Sequence, residues 1–150
     1  MTTFRSSLPI SFTLPISPRS IQFSGKRVMV RGGRPVFFKN KQAVGFQAEV
    51  AAYASASAPA ELLTCPISLS VVFVIQRPKA LGGKRHPAGR IPATKRPDID
   101  NLVKGLLDAI KGYWVDDSQI VSMQLQKHYA AKDEKPHIQI YIDEYRAEPS

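Results

Sequence analysis

The run from Pro66 to Gln76, Pro-Ile-Ser-Leu-Ser-Val-Val-Phe-Val-Ile-Gln, constrains the fold more than any other segment of the chain. Ile67, Leu69, Val71, Phe73 and Ile75 alternate, so a strand places all five on one face. Val72 and Val74 make its later half apolar on both faces, which suits a strand buried on both sides. A chain of 150 residues around such a strand suits one domain with a real core.

Other elements follow from local pattern. Ser7 to Leu14 predicts a first strand, ended by Pro15. Arg27 to Arg31 and Arg34 to Phe38 predict a hairpin ribbon turned by Gly32-Gly33. Asn40 is placed to cap a helix reaching about Ala54, with Ala43, Phe46, Val50, Tyr53 and Ala54 as its apolar stripe. Asp100 to Lys111 predicts a second helix, burying Leu102, Val103, Leu106, Leu107 and Ile110, with Gly112 as its stop. Ile120 to Ala130 alternates with Val121, Met123, Leu125 and Tyr129 on one face, and Pro136 to Ile142 alternates through Ile138, Ile140 and Ile142. The two predict an antiparallel hairpin, and residues 144–150 a frayed tail. Strands and helices mix without regular alternation, so the expected class is α+β: a small mixed sheet with hairpins packed against two main helices.

Charge narrows the function. Residues 1 to 97 hold 15 Lys/Arg against Glu49 and Glu61, a balance of +13; residues 98 to 150 balance to −4. The first part is the electrostatic footprint of a polyanion-binding protein. Its densest stretch is an irregular segment from Arg77 to Pro97 with Arg77, Lys79, Lys84, Arg85, Arg90, Lys95 and Arg96 and no acid. With Lys26, Arg27, Arg31 and Arg34 of the ribbon, these are the candidate phosphate contacts. A loop of this length is functional or orders only on binding. The single Cys65 excludes an intramolecular disulfide framework and suits a reducing compartment. No apolar run approaches the roughly 20 residues of a membrane span. The hydroxyl-rich, acid-free start resembles a transit peptide, but Pro9, Pro15 and Pro18 would break an amphipathic helix. A cytoplasmic protein is expected.

The acidic part concentrates the chemistry. In an extended step, Asp98 and Asp100 project to the same side and face one point. Asp100 near a helix start is also a good N-terminal residue on structural grounds alone, but that leaves Asp98 unexplained. Lys104 lies four residues on, either as an i, i+4 ion pair or as a cation beside a metal site. Asp116-Asp117 falls in a turn, where Asp is common, yet two adjacent acids repel unless a cation intervenes. The route of helix plus turn is expected to return one Asp to the Asp98/Asp100 pair. Three carboxylates suit Mg²⁺, with Mn²⁺ as substitute. His86, His128 and His137 are scattered and offer no zinc spacing.

The whole run, Asp98-Ile99-Asp100-Asn101-Leu102-Val103-Lys104, then Leu107-Asp108-Ala109-Ile110, then Gly112-Tyr113-Trp114-Val115-Asp116-Asp117-Ser118-Gln119-Ile120-Val121, closely resembles the RusA family of Holliday-junction resolvases. The tight match spans about residues 96 to 122. The resemblance implies a small homodimer that binds four-way DNA junctions. It also implies Mg²⁺-dependent paired nicks leaving 5′-phosphate and 3′-hydroxyl ends, in recombination and repair, often from a phage or prophage. By position it assigns Asp98, Asp100 and Asp117 as essential acids and metal ligands, Lys104 as the essential lysine, and Asp116 as a neighbouring acid. No small-molecule cofactor is implied. The sequence departs from the family at the early turn, Ile16-Ser17-Pro18-Arg19-Ser20, and in the length of the 77–97 segment. A non-catalytic branched-DNA or RNA-binding protein explains the basic half equally well but not the acids. A nuclease for flaps or other branched DNA is the other alternative.

Overall fold

In the computed structural model, residues 7–19, 27–38 and 41–148 are described. The order of elements is β1 (Ile10–Leu14), β2 (Arg27–Arg31), β3 (Arg34–Phe38), α1 (Lys41–Ala54), β4 (Ile67–Ile75), β5 (Ile91–Pro92), α2 (Ile99–Ala109), β6 (Ile120–Tyr129) and β7 (His137–Glu144). Five strands form one mixed sheet in the order β1-β7-β4-β6-β5, and β2 and β3 form a separate ribbon. The class is α+β, as the pattern predicts. Gly32 and Gly33 both have positive φ, 60° and 73°, and so make the tight two-residue turn of that ribbon. Lys26 and Asn40 lie outside the described residues.

The strand of residues 67–75 takes the centre of the sheet. It pairs antiparallel with β7 on one side and parallel with β6 on the other. The expected hairpin between residues 120–130 and 136–142 is therefore corrected: β6 and β7 do not pair with each other, because β4 lies between them. A strand apolar on both faces gains more by burial between two neighbours than an edge position would allow. The parallel register of β4 and β6 shifts between Ile67 and Ser68, so Val121 is an extra residue. Val121 is consequently exposed instead of joining Leu125 against the core. The tail also departs from expectation: β7 includes Glu144, and the Tyr145 N–H donates to the Pro66 carbonyl at 2.8 Å.

The main core lies between the sheet and the helices. Phe46, Val50 and Ala54 of α1 and Leu102, Val103, Leu106 and Ala109 of α2 pack with Ile67, Leu69, Val71 and Phe73 of β4 and with Ile138, Ile140 and Ile142 of β7. Leu107 is only partly buried, and Tyr53, expected on the apolar stripe of α1, is exposed. Ala54, one residue on, takes the inward position. Tyr113 is fully buried. It stacks on Phe12 with centroids 5.5 Å apart and donates its hydroxyl to the Ala54 carbonyl, joining α1, β1 and the segment after α2. Burial pushes its phenol up to about 12.

The 77–97 segment is built around its own first residue. The Arg77 guanidinium is buried and donates to the carbonyls of Ala130 at 2.9 Å, Leu81 at 3.1 Å, Pro87 at 2.8 Å and Gly89. A planar fork of five donors meets such a ring of carbonyls as lysine cannot. Further on, Arg90 makes a two-bond pair with Glu134, at 2.9 and 2.8 Å. The Lys132 N–H donates to the Ala88 carbonyl and its Nζ to that of Gly83, both at 2.9 Å. The segment is thus tied to the connection between β6 and β7.

Replacing Arg77 by Met should lower unfolding free energy by roughly 3 kcal/mol, because four carbonyls lose a charged donor. Urea unfolding measures this; a loss under about 1 kcal/mol would mean that the carbonyls find water instead. Glu134, held at about 2 by the Arg90 guanidinium, is depressed from its ordinary 4.5. Its contribution to stability is then present above its ordinary value and disappears as pH falls from about 4.5 towards about 2. Glu134→Gln should flatten that part of the stability profile, measured at low salt because the pair is largely exposed.

Candidate active site

Asp98 is the N-cap of α2, with φ −71° and ψ 144°; the extended backbone ends there, because Ile99 is already the first helical residue. Its side chain makes no capping hydrogen bond. Asp100 stands in the first turn of the helix. Both carboxylates are exposed. The helix starts one residue before the expected Asp100 and supplies a positive N-terminal dipole to both. Lys104 is exposed on the same helix, and the i, i+4 ion pair with Asp100 does not form: Arg90–Glu134 is the one ion pair among the described residues.

Asp117 opens a 3₁₀ turn, Asp117–Gln119, that leads directly into β6. Trp114, itself buried, donates its indole N–H to Asp117 Oδ1 at 2.7 Å. Asp116 is a cap. Its Oδ1 accepts the Ser118 N–H at 2.8 Å, while Gln119 Oε1 accepts the Asp116 N–H at 2.8 Å. The Ser118 hydrogen bonds hold the Asp116 carboxyl below the usual range. Gln119 Nε2 also donates to the carbonyls of Leu63 and Cys65, at 2.9 and 3.1 Å. The turn is therefore fastened to the entry of β4. Trp114 and Gln119 escape a reading by charge alone, although Asp116-x-x-Gln119 has capping-box spacing.

The three acids do not meet within one chain. Among the described residues, no three His, Cys, Asp or Glu side chains come close enough to hold a metal ion. The reason is the path of β6. Lys127 donates its Nζ to the carbonyls of Lys95 at 2.7 Å and Pro97 at 2.8 Å, so the approach to Asp98 lies at the far half of the strand. Asp117 precedes its first residue, Ile120. At ~3.3 Å per residue, Ile120 and Lys127 are roughly 23 Å apart. One chain thus holds the Asp98/Asp100 pair and Asp117 apart. The expectation that helix and turn return Asp117 to the pair is corrected accordingly.

The basic candidates divide. Arg77 is buried on four carbonyls and Arg90 is committed to Glu134, which removes Arg77 from the phosphate contacts and leaves Arg90 engaged internally. Lys79, Lys84, Arg85, Lys95 and Arg96 are exposed, with side chains making no ion pair among the described residues. For Arg27, Arg31 and Arg34 the strands are described and the side chains are not.

The model of the family Endodeoxyribonuclease RusA matches residues 15–143. The chain belongs to that family. "Uncharacterized protein YqaN" of Bacillus subtilis (strain 168) is 32% identical over 127 residues, covering 81% of this chain and 87% of that protein. "Crossover junction endodeoxyribonuclease rusA" of Lactococcus phage r1t is 47% identical over 53 residues, covering 34% of this chain and 38% of that one. Membership in an endodeoxyribonuclease family answers the non-catalytic alternative. Among the described residues, no helix is long and apolar enough to cross a membrane.

Trp114 is the single tryptophan, and its indole touches Asp117. If Asp117 ligates a divalent cation, as the family resemblance implies, Mn²⁺ should quench the protein's tryptophan fluorescence saturably. Asp117→Asn, which keeps an acceptor for the indole, should abolish the saturable part. Quenching that is linear in Mn²⁺ for both proteins would place the cation elsewhere.

Proposed function

We propose that this enzyme is a divalent-cation-dependent endonuclease that resolves four-way DNA junctions as a homodimer, with Asp98, Asp100 and Asp117 as the metal-binding acids. The observation that carries the reading is the Asp98/Asp100 pair. Both carboxylates are exposed, neither is spent on a hydrogen bond among the described residues, and both sit at the start of one helix in a chain of this family. Oxygen-only donors suit Mg²⁺, with Mn²⁺ as a substitute. A Mg²⁺ held by Asp98, Asp100 and Asp117 would supply Lewis-acid charge for activating water and polarising the scissile phosphate. Lys104, exposed one turn after Asp100, offsets charge that develops on that phosphate. Lys79, Lys84, Arg85, Lys95 and Arg96 bind backbone phosphates, which fixes orientation without reading sequence and suits recognition of branched shape.

A second copy supplies the missing half of each site. Strand β5 pairs only with Tyr129 and His128, and the Ala93 N–H reaches Lys127, so the edge of β6 from Ile120 to Gln126 has no strand neighbour among the described residues. Val121 and Met123 on that edge, and Val115 before it, are exposed. An unpaired edge with apolar side chains is a template for pairing. Two copies joined antiparallel there would set the start of each β6 beside the end of the other, carrying Asp117 of one copy towards Asp98 and Asp100 of its mate. Twofold symmetry then gives two sites for the two opposed strands of a junction.

Cleavage of a labelled four-way junction, with flap and linear duplex beside it, tests the activity. Mg²⁺-dependent paired nicks in the junction alone are expected; cutting of flaps instead would change the substrate class. Asp98→Asn and Asp117→Asn should each fall at least 100-fold in rate and still bind the junction. Mixed and allowed to exchange, the two inactive chains should recover nicking of one strand, because one site of each mixed dimer is then intact. Mixtures as inactive as the separate variants would show that each site is built within one chain.

A further inference from the structure

We propose that Lys127 is a positioning residue of the active site: its ammonium clamps the backbone that delivers Asp98 and Asp100. This rests on the reading of those acids as metal-binding. Lys127 stands in register with Phe73 of β4, which is buried, and two residues after Leu125, which packs on the core. An inward position in an alternating strand is where an apolar side chain belongs. A half-buried ammonium is placed there instead.

The cost of desolvating that charge is met by two backbone carbonyls and by no carboxylate. Nζ donates to Lys95 at 2.7 Å and to Pro97 at 2.8 Å, and no acid among the described residues lies within ion-pair distance of it. The backbone of the same residue holds the segment a third time, its carbonyl accepting the Ala93 N–H at 3.1 Å. Residues 93 to 97 make no further strand pairing, so these three bonds fix the path into the helix. Pro97 immediately precedes Asp98, whose carbonyl accepts the Leu102 N–H at 3.1 Å and opens α2. The clamp therefore acts one peptide from the first acid. A ligand carboxylate with no hydrogen bond of its own is oriented only through its backbone, and loss of such outer support typically costs 10- to 100-fold in metal affinity or activity.

Lys127→Met keeps the length and apolar stem, and leaves the Ala93 bond in place because that bond uses the backbone carbonyl. Three measurements are made on the full chain: junction affinity in Ca²⁺, the Mn²⁺ concentration that half-quenches Trp114, and the Mg²⁺ concentration that half-saturates cutting. The expected result is junction affinity within about 3-fold of the unaltered protein, with both half-saturation values raised about 10-fold or more. A lysine that only stabilises the fold would lower the melting temperature and leave both values unchanged, and that result overturns the proposal. Should Lys127→Met lose its cooperative melt, Lys127→Gln takes the same measurements with the same two outcomes. If the unaltered protein neither cuts nor shows saturable quenching, the metal-site reading itself fails; if it does both and the variant matches it, only the clamp fails.

Discussion

The parallel pairing of β4 with β6 is the constraint on which the rest of the molecule depends. Parallel neighbours need a crossover, because the chain leaving the end of one must return to the start before the other can begin. Here the crossover runs from Gln76 to Gln119 and contains the basic segment, α2 and the Trp114–Gln119 turn. Its outward part passes over the far end of β6, and its helix brings the chain back. Any residues at the two ends of that helix-and-turn return are therefore parted by the length of β6. Asp98 and Asp100 fall at one end and Asp117 at the other, and it is this topology that makes the site proposed for the three acids one that two copies would share.

The same constraint explains why so much polar bonding is spent on the crossover. A long segment of residues 77–97 with little regular pairing leaves many backbone carbonyls without strand or helix partners, and buried carbonyls need donors. Arg77 meets three of them, those of Leu81, Pro87 and Gly89, and Lys127 two more. Cations thus act here as internal scaffolding as well as surface charge. The segment is held at both its ends, near Arg77 and near Pro97, with Lys84 and Arg85 exposed between them. That arrangement presents charge on a fixed path and avoids much of the ordering cost that a free loop would meet on binding.

What local pattern encodes was legible: the alternation of β4, the two-glycine turn of the ribbon and the amphipathic face of α2. Strand order was not. Alternation in residues 120–129 and 137–144 says which side chains face inward but not which strand lies beside them, and a short polar connection imitates a hairpin. The insertion of β4 is decided by the burial of both its faces, a property of the whole sheet. Within the basic segment, Arg77 looks like its neighbours, and only the carbonyls gathered from Leu81 to Ala130 set it apart. Lys127 carried a readable signal, since it breaks an inward apolar series, but the carbonyls that explain it come from a segment some 30 residues earlier.

The division of charged groups into spent and unspent is the stronger guide to chemistry. Asp116 caps a turn, Glu134 holds Arg90, and Arg77 and Lys127 hold the crossover: each has an intramolecular partner that accounts for its presence. Among the described residues Asp98 and Asp100 have none, although two carboxylates at one helix start repel each other, and Asp117 has only the Trp114 indole. The helix dipole offsets part of that repulsion, by typically 0.3–1 kcal/mol for each acid. A hard cation offsets the remainder far more effectively, because it binds the carboxylates directly and carries two charges. Acids left unpaired by the fold, beside cations also left unpaired, are what a protein needs if their partners are a metal ion and a nucleic-acid phosphate.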